Sequence, residues 1–202
     1  KNKNILICKV CQLVKLIKDG QPYKMSKRKG DFITIEDVLS EVGKDSLRFM
    51  MLSRGNDVEL DFDFNKVLEK NKENPVFYVQ YCYARINSLY TSLNIKTHKK
   101  KFHALNFDPN DYEYKLLRKI IEWPKVVDLS AKKFEPHRIP FYLYELVTIF
   151  HSYWSKGNED PKFKFITSGK INNELTFKIF QLIIIILINA MSILGVSLPK
   201  KM

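Results

Sequence analysis

Val76-Phe77-Tyr78-Val79-Gln80-Tyr81-Cys82-Tyr83-Ala84-Arg85-Ile86-Asn87-Ser88-Leu89-Tyr90-Thr91-Ser92-Leu93 is the stretch that decides the fold class. Val79, Cys82, Tyr83, Ile86, Leu89, Tyr90 and Leu93 recur at three- and four-residue spacing, so they share one apolar face of a helix. A second face carries Tyr78, Tyr81, Arg85 and Ser88. Aromatic rings beside an arginine suit splayed single-stranded bases, with rings for stacking and a cation for phosphate or ring contact. The same tyrosines also fit packing against a neighbouring helix with their hydroxyls satisfied. Spacing alone does not choose between the two.

Outward from this helix the pattern stays helical. Residues 66–94 read as helix with a kink or break at Pro75. Further helices are expected at 110–123, 125–134 and 138–156, with a loop at 157–170 and a last helix over 173–195 that ends at Gly195. In the 138–156 segment Ile139, Leu143, Leu146, Val147 and Phe150 form a core face, and His151, Tyr153 and Trp154 cluster at its end. Trp154 is either a second stacking surface or a buried anchor of the bundle. Ile179 to Val196 carries no charge over 18 residues, long enough for a membrane span. Glu174, Lys178, Gln181, Asn189 and Ser192 nevertheless fall on one narrow arc, interrupted only by Ile185, which reads as a bundle helix.

Toward the start the periodicity shortens. Residues 5–8 and 12–17 suit strands, and Asp19-Gly20 marks a turn. Thr34 with Asp37 opens a helix that Gly43 should end, and Asp45 should cap the next, Ser46–Arg54. Val58, Leu60, Phe62 and Phe64 alternate with acids as a half-buried extended segment. The expected fold is mainly α, with a small α/β portion in front.

Composition agrees. Seven Gly and eight Pro in 202 residues argue against a turn-rich β-sandwich, and 45% hydrophobic residues support a packed core. The net charge of +12 points to a polyanionic partner. It is unevenly spread, at +8 over residues 1–30, −5 over 31–74 and +9 over 75–202, so two basic blocks flank an acidic connector. Three cysteines make no disulfide framework, which places the chain in a reducing, cytoplasmic setting. Cys8 and Cys11 have the spacing of half a zinc site, but Cys82 stands alone and the four His lack ligand spacing. They are read as ordinary apolar cysteines, with no metal site. The run Lys96, Lys99, Lys100 and Lys101 reads as a solvated connection that could add salt-sensitive affinity for RNA. The chain begins at Lys1 with no signal peptide, and reads as the C-terminal piece of something longer.

Lys24-Met25-Ser26-Lys27-Arg28, followed by Lys29 and Gly30, is the stretch that suggests chemistry. Two ammonium groups at i and i+3 on flexible stems can neutralise charge on one polyphosphate, and Gly30 would let the loop move. The stretch resembles the KMSKS signature of class I aminoacyl-tRNA synthetases. Extended through Gly30-Asp31-Phe32, it is similar to the arginyl-tRNA synthetase version, with Arg28 in the fifth position. Asp45-Ser46-Leu47-Arg48-Phe49 resembles that family's Asp-Ala-Leu-Arg element, with Ser46 in place of Ala. Leu60-Asp61-Phe62-Asp63 resembles the stretch leading to its anticodon-binding domain, and Asn74 to Tyr81 resembles that domain's first helix. Gly195 to Met202 resembles the family's terminus.

The resemblance implies a division into the end of a class I Rossmann-type catalytic domain (1–43), a connecting region (44–74) and an α-helical anticodon-binding bundle (75–202). It implies an arginine–tRNA ligase that uses ATP with Mg2+, L-arginine and tRNA(Arg), acts as a cytoplasmic monomer, and binds neither DNA nor membrane. The ATP-binding loop would be Lys24, Met25, Ser26, Lys27, Arg28 and Gly30, with Lys27 on the phosphates and Lys24 in support. Tyr78, Tyr81, Arg85, Trp154 and Met202 would contact tRNA. The family's HIGH motif and arginine pocket do not occur in this sequence, so the chain by itself should be inactive. Rival readings are a fragment of a cysteine-type class I synthetase, a non-catalytic basic RNA-binding module, and a membrane-anchored helical protein.

Overall fold

The computed structural model describes residues 6–23, 33–95 and 107–202. Strand β1 (Val14–Lys18) turns back into β2 (Gln21–Pro22) through Asp19 and Gly20, whose φ values of 53° and 71° are both positive. That left-handed pair is what a two-residue hairpin needs to match the strand twist. The Asn65 side chain pins the turn, accepting from the Asp19 backbone N–H at 3.3 Å and donating to its carboxylate at 3.1 Å. Strand β3 (Leu60–Asp63) lies parallel on the other side of β1, with Val14 opposite Leu60 and Ile17 opposite Asp63. A parallel pair needs a long crossover, and helix α1 (Ile35–Leu52) lies within it.

The strand expected at residues 5–8 is not formed over its described part. Leu6 to Leu13 is exposed and non-helical; Gln12 N–H reaches the Asn56 carbonyl at 2.9 Å, and the ladder with β3 has its register from Val14 onward. Thr34 caps α1 as expected. Its hydroxyl accepts from the Asp37 N–H at 3.1 Å, and the Asp37 carboxylate accepts from the Thr34 N–H at 2.8 Å. The Thr34 N–H and the Thr34 hydroxyl both lie 2.8 Å from that carboxylate, and donation from them holds the Asp37 carboxyl below its usual range. Gly43 interrupts the helical run as expected, at non-helical φ 76° and ψ 160°, so α1 is two helical pieces joined at a kink. Asp45 follows the kink, but its carboxylate accepts from the distant Ser197 and Gln80 rather than from a helix N–H.

Beyond β3, Asp63 caps the short helix α2 (Phe64–Leu68). Phe62 and Phe64 meet edge-on at 5.4 Å in a small core with Val38, Val42, Leu60 and Val67. The break expected at Pro75 within 66–94 is a complete one, with residues 69–74 non-helical between α2 and the next helix. Buried Asn74 donates to the Val67 and Glu69 carbonyls at 2.7 and 2.8 Å and caps α3 (Pro75–Ser92), where Pro75 is the first residue. Proline has no N–H to lose there and starts the helix rather than kinking it.

Helices α3, α4 (Asp111–Ile121), α5 (Trp123–Lys133), α6 (Arg138–Glu159) and α7 (Glu174–Leu194) surround the larger core. α6 runs three residues longer than expected. The 157–170 loop contains a 3₁₀ turn, Pro161–Phe163, and leads into a hairpin of β4 (Ile166–Thr167) and β5 (Lys170–Ile171). α7 buries Phe177, Ile179, Phe180, Ile183, Leu187, Ala190 and Met191 against the bundle. It is the one helix among the described residues long and apolar enough to cross a membrane, with mean hydropathy 2.2. Its outer face is less polar than the expected arc, because Ile188 and Ile193 join Ile185 on the exposed side.

Three bundle helices meet at one carboxylate. Glu113 of α4 is fully buried, and its oxygens accept from the Asn110 N–H at 3.0 Å, the Tyr153 hydroxyl and Asn173 amide at 3.1 Å each, and the Thr176 hydroxyl. Dense hydrogen bonding to the charged form takes the place of a cation. Glu113→Ala would strand four donors, so unfolding stability should fall by about 3 kcal/mol. Glu113→Gln, which keeps an acceptor oxygen, should lose less. Urea midpoints of the two variants check the order.

Candidate nucleic-acid interface

The polar face of α3 meets the end of α6. Tyr81 and Arg85 are one helical turn apart, and the Arg85 guanidinium lies 4.3 Å from the Tyr81 ring centroid and 5.4 Å from that of Trp154. Trp154 is half-buried. Its inner side packs on Phe150 at 5.4 Å, Phe165 at 5.5 Å and Phe180 at 6.2 Å, while it still lines the groove. The anchoring reading thus holds for its inner side, and its remaining surface faces the groove. The groove encloses about 580 Å³ between Tyr81, Arg85, Ser88, Trp154, Lys201 and Met202. A polar hollow of about 600 Å³ adjoins it, lined by Asn87, Ser88, Thr91, Ser92, Lys200 and Lys201.

Behind the groove stands His151. Its ring stacks on Tyr78 at 4.3 Å and on Tyr81 at 5.6 Å. Nε2 lies 3.2 Å from the Tyr78 carbonyl oxygen, which only accepts, so Nε2 carries the proton. Nδ1 is then an acceptor, 3.3 Å from Arg85 Nη1. Burial, with Arg85 alongside, pushes the His151 pKa down to about 4 against the opposing pull of the Tyr78 carbonyl. The imidazole is neutral at pH 7 and orients the guanidinium over the Tyr81 ring.

The structure brings Tyr81, Arg85, Trp154 and Met202 together and leaves Tyr78 outside the groove lining. Tyr78 is held between His151 and Tyr144, where burial raises its hydroxyl pKa. Lys24, Met25, Ser26, Lys27, Arg28 and Gly30 lie outside the described residues, as do Lys96, Lys99, Lys100 and Lys101. Among the described residues Cys8 and Cys11 are exposed rather than packed as apolar residues, whereas Cys82 is buried. Lys201 and His151 complete the site and were not assigned to it from the sequence. His151 sits three residues before Trp154 on α6, a spacing that puts both on one side of the helix.

Residues 79–202 match the family described as the DALR anticodon binding domain. The chain belongs to the DALR anticodon-binding domain family. Residues 9–63 match the class I tRNA synthetase family of the I, L, M and V type. An arginine–tRNA ligase of Pelagibacter ubique is 52% identical over all of this chain and 35% of its own length. The one from Ruegeria pomeroyi is 44% identical over 96% of this chain and 34% of its own. The chain thus spans about a third of the curated relatives it matches. An arginyl-tRNA synthetase structure from Campylobacter jejuni superposes with a TM-score of 0.81 at 31% identity, covering 95% of this chain and 40% of that one. The Thermus thermophilus enzyme shares the fold, with a TM-score of 0.66 at 19% identity over 95% of this chain and 35% of its own.

A histidine whose folded pKa lies below its ordinary value of about 6.5 loses stability as pH falls, because the unfolded chain takes up the proton first. His151 should therefore contribute a fall of up to about 3 kcal/mol between roughly pH 6.5 and pH 4. His151→Gln keeps a donor for the Tyr78 carbonyl but does not titrate. Its urea midpoint should depend less steeply on pH across that window than the parent's.

Proposed function

We propose that this chain is part of an arginine–tRNA ligase. It would supply a lysine loop for ATP and a helical surface for the anticodon region of tRNA(Arg). The groove of Tyr81, Arg85, Trp154 and Met202 carries the reading. It offers rings and a cation of the kind that a splayed base uses, beside lysines for the RNA backbone. Tyr78 would act from behind, through His151. The similarity to arginine–tRNA ligases along the chain supports this assignment over a cysteine-type enzyme. The division at residues 1–43, 44–74 and 75–202 belongs to the same proposal, as do a cytoplasmic setting and a monomer.

In the reaction, the arginine carboxylate would attack the α-phosphate of ATP, releasing pyrophosphate, and arginine would then pass to the terminal adenosine of the tRNA. Lys27, supported by Lys24, would offset the charge that grows on the departing pyrophosphate. Magnesium enters only as a companion of the ATP phosphates. Among the described residues no group of three His, Cys, Asp or Glu side chains is placed to hold it.

The test uses the full-length polypeptide that contains this chain. Lys27→Ala should lower arginine-dependent pyrophosphate exchange by about 10²-fold or more while leaving tRNA affinity nearly unchanged. Unchanged exchange would favour a non-catalytic RNA-binding module. Tyr81→Ala should weaken tRNA(Arg) binding by about 1–3 kcal/mol, and Tyr81→Phe, which keeps the ring, should not. Charging of a cysteine tRNA in preference to tRNA(Arg) would overturn the assignment.

A further inference from the structure

The Asp45-Ser46-Leu47-Arg48 element has no part in the groove, yet both of its charged residues reach across the fold to the segment that forms one groove wall. Past the Gly43 kink they stand one turn apart on α1. The Asp45 carboxylate accepts from the Ser197 N–H at 3.1 Å and from the Ser197 hydroxyl. Gln80 of α3 closes the triangle, donating to the Ser197 carbonyl at 3.0 Å and to Asp45 at 3.4 Å. Arg48 Nε donates to the Leu194 carbonyl, one of the last carbonyls of α7.

Between these two anchor points α7 ends in a tight reversal. Gly195 is left-handed at φ 69°, and the Val196 N–H donates to the Met191 carbonyl at 2.9 Å. A Cβ at Gly195 would come within 2.6 Å of Arg48 Nε, so glycine is required there for the close approach as well as for the turn. Val196 is buried and Leu198 packs against the core. The chain continues from the clamp to the groove, which Lys201 and Met202 line together with Tyr81 and Arg85.

We infer that Asp45 and Arg48 are positioning residues for RNA binding, which hold residues 194–197 so that Lys201 and Met202 form the groove wall. This rests on the RNA-binding reading of the groove. It also gives α1, whose first half packs beside the β-sheet, a mechanical connection to the RNA surface. The connection consists of partly exposed polar contacts, so the expected effects are modest.

In the full-length polypeptide, Asp45→Ala and Arg48→Met should each weaken tRNA(Arg) binding three- to tenfold. Asp45→Asn, which keeps one acceptor, should fall between the parent and Asp45→Ala. The deciding measurement is the same substitution in a form lacking residues 200–202. If Asp45 acts through the wall, Asp45→Ala should change affinity there by less than twofold. Hydrogen exchange at the Ser197 amide should quicken in Asp45→Ala in either background. An equal loss of affinity in both backgrounds, or faster Ser197 exchange with unchanged affinity in the intact form, overturns the inference. Tyr81→Ala binding tRNA(Arg) as tightly as the parent would instead overturn the RNA-binding reading itself.

Discussion

A neutral imidazole holds the groove in shape. His151 is wedged between α3 and α6, giving its one proton to the Tyr78 carbonyl and turning its free nitrogen toward Arg85. Were the ring charged, both nitrogens would donate and Arg85 would face a like charge. The guanidinium would then lose its acceptor and its reason to lie over Tyr81. The burial that keeps His151 neutral thus helps to hold the Arg85 guanidinium over the Tyr81 ring. Phe150 and the tryptophan side of α6 continue the same packing inward, so the groove is supported by core residues rather than by loops.

The two sides of the groove are built differently. α3 and α6 supply Tyr81, Arg85 and Trp154 from rigid helices with buried inner faces. The opposite wall is a short extended segment beyond α7, with few buried side chains of its own, and it owes its course to contacts from α1 and α3. A stacking surface needs precision in the rings. In the RNA-binding proposal the opposite wall needs only approximate charge placement, because a lysine ammonium is a point charge on a flexible stem. The rigid side therefore carries the aromatic residues, and the adjustable side carries Lys200 and Lys201.

How much of this was legible in the sequence depends on the range of the interaction. α3 and α6 showed themselves through a 3.6-residue apolar period, and both faces of α3 were readable for the same reason. Thr34 and Gly195 were legible because capping and reversal are local chemistry. The Pro75 break was legible, but its meaning was not. Whether proline kinks a helix or starts one depends on Asn74, whose side chain is satisfied by carbonyls five and seven residues back. Asp45 was misread for a related reason. An aspartate before a helical run looks like a cap, and nothing local indicates that its partner is Ser197, 152 positions away. The early apolar run failed differently: its residues favour strand, but a strand forms only where a ladder partner exists.

The charge pattern takes on a spatial meaning once the fold is known. The acidic stretch over residues 31–74 contains α1, β3 and α2, the elements around the smaller core, and none of its described residues lines the groove. Asp45 is the one acid of that stretch that approaches the groove wall, and it faces the amide and hydroxyl of Ser197 rather than the open surface. A polyanion approaching the bundle meets Arg85, Lys200 and Lys201, and no Asp or Glu side chain is among the described residues that line the groove. Like charge elsewhere in the chain would repel the same ligand, so an acidic connector restricts where the polyanion settles. In a basic chain, that restriction contributes register, which the lysines alone do not supply.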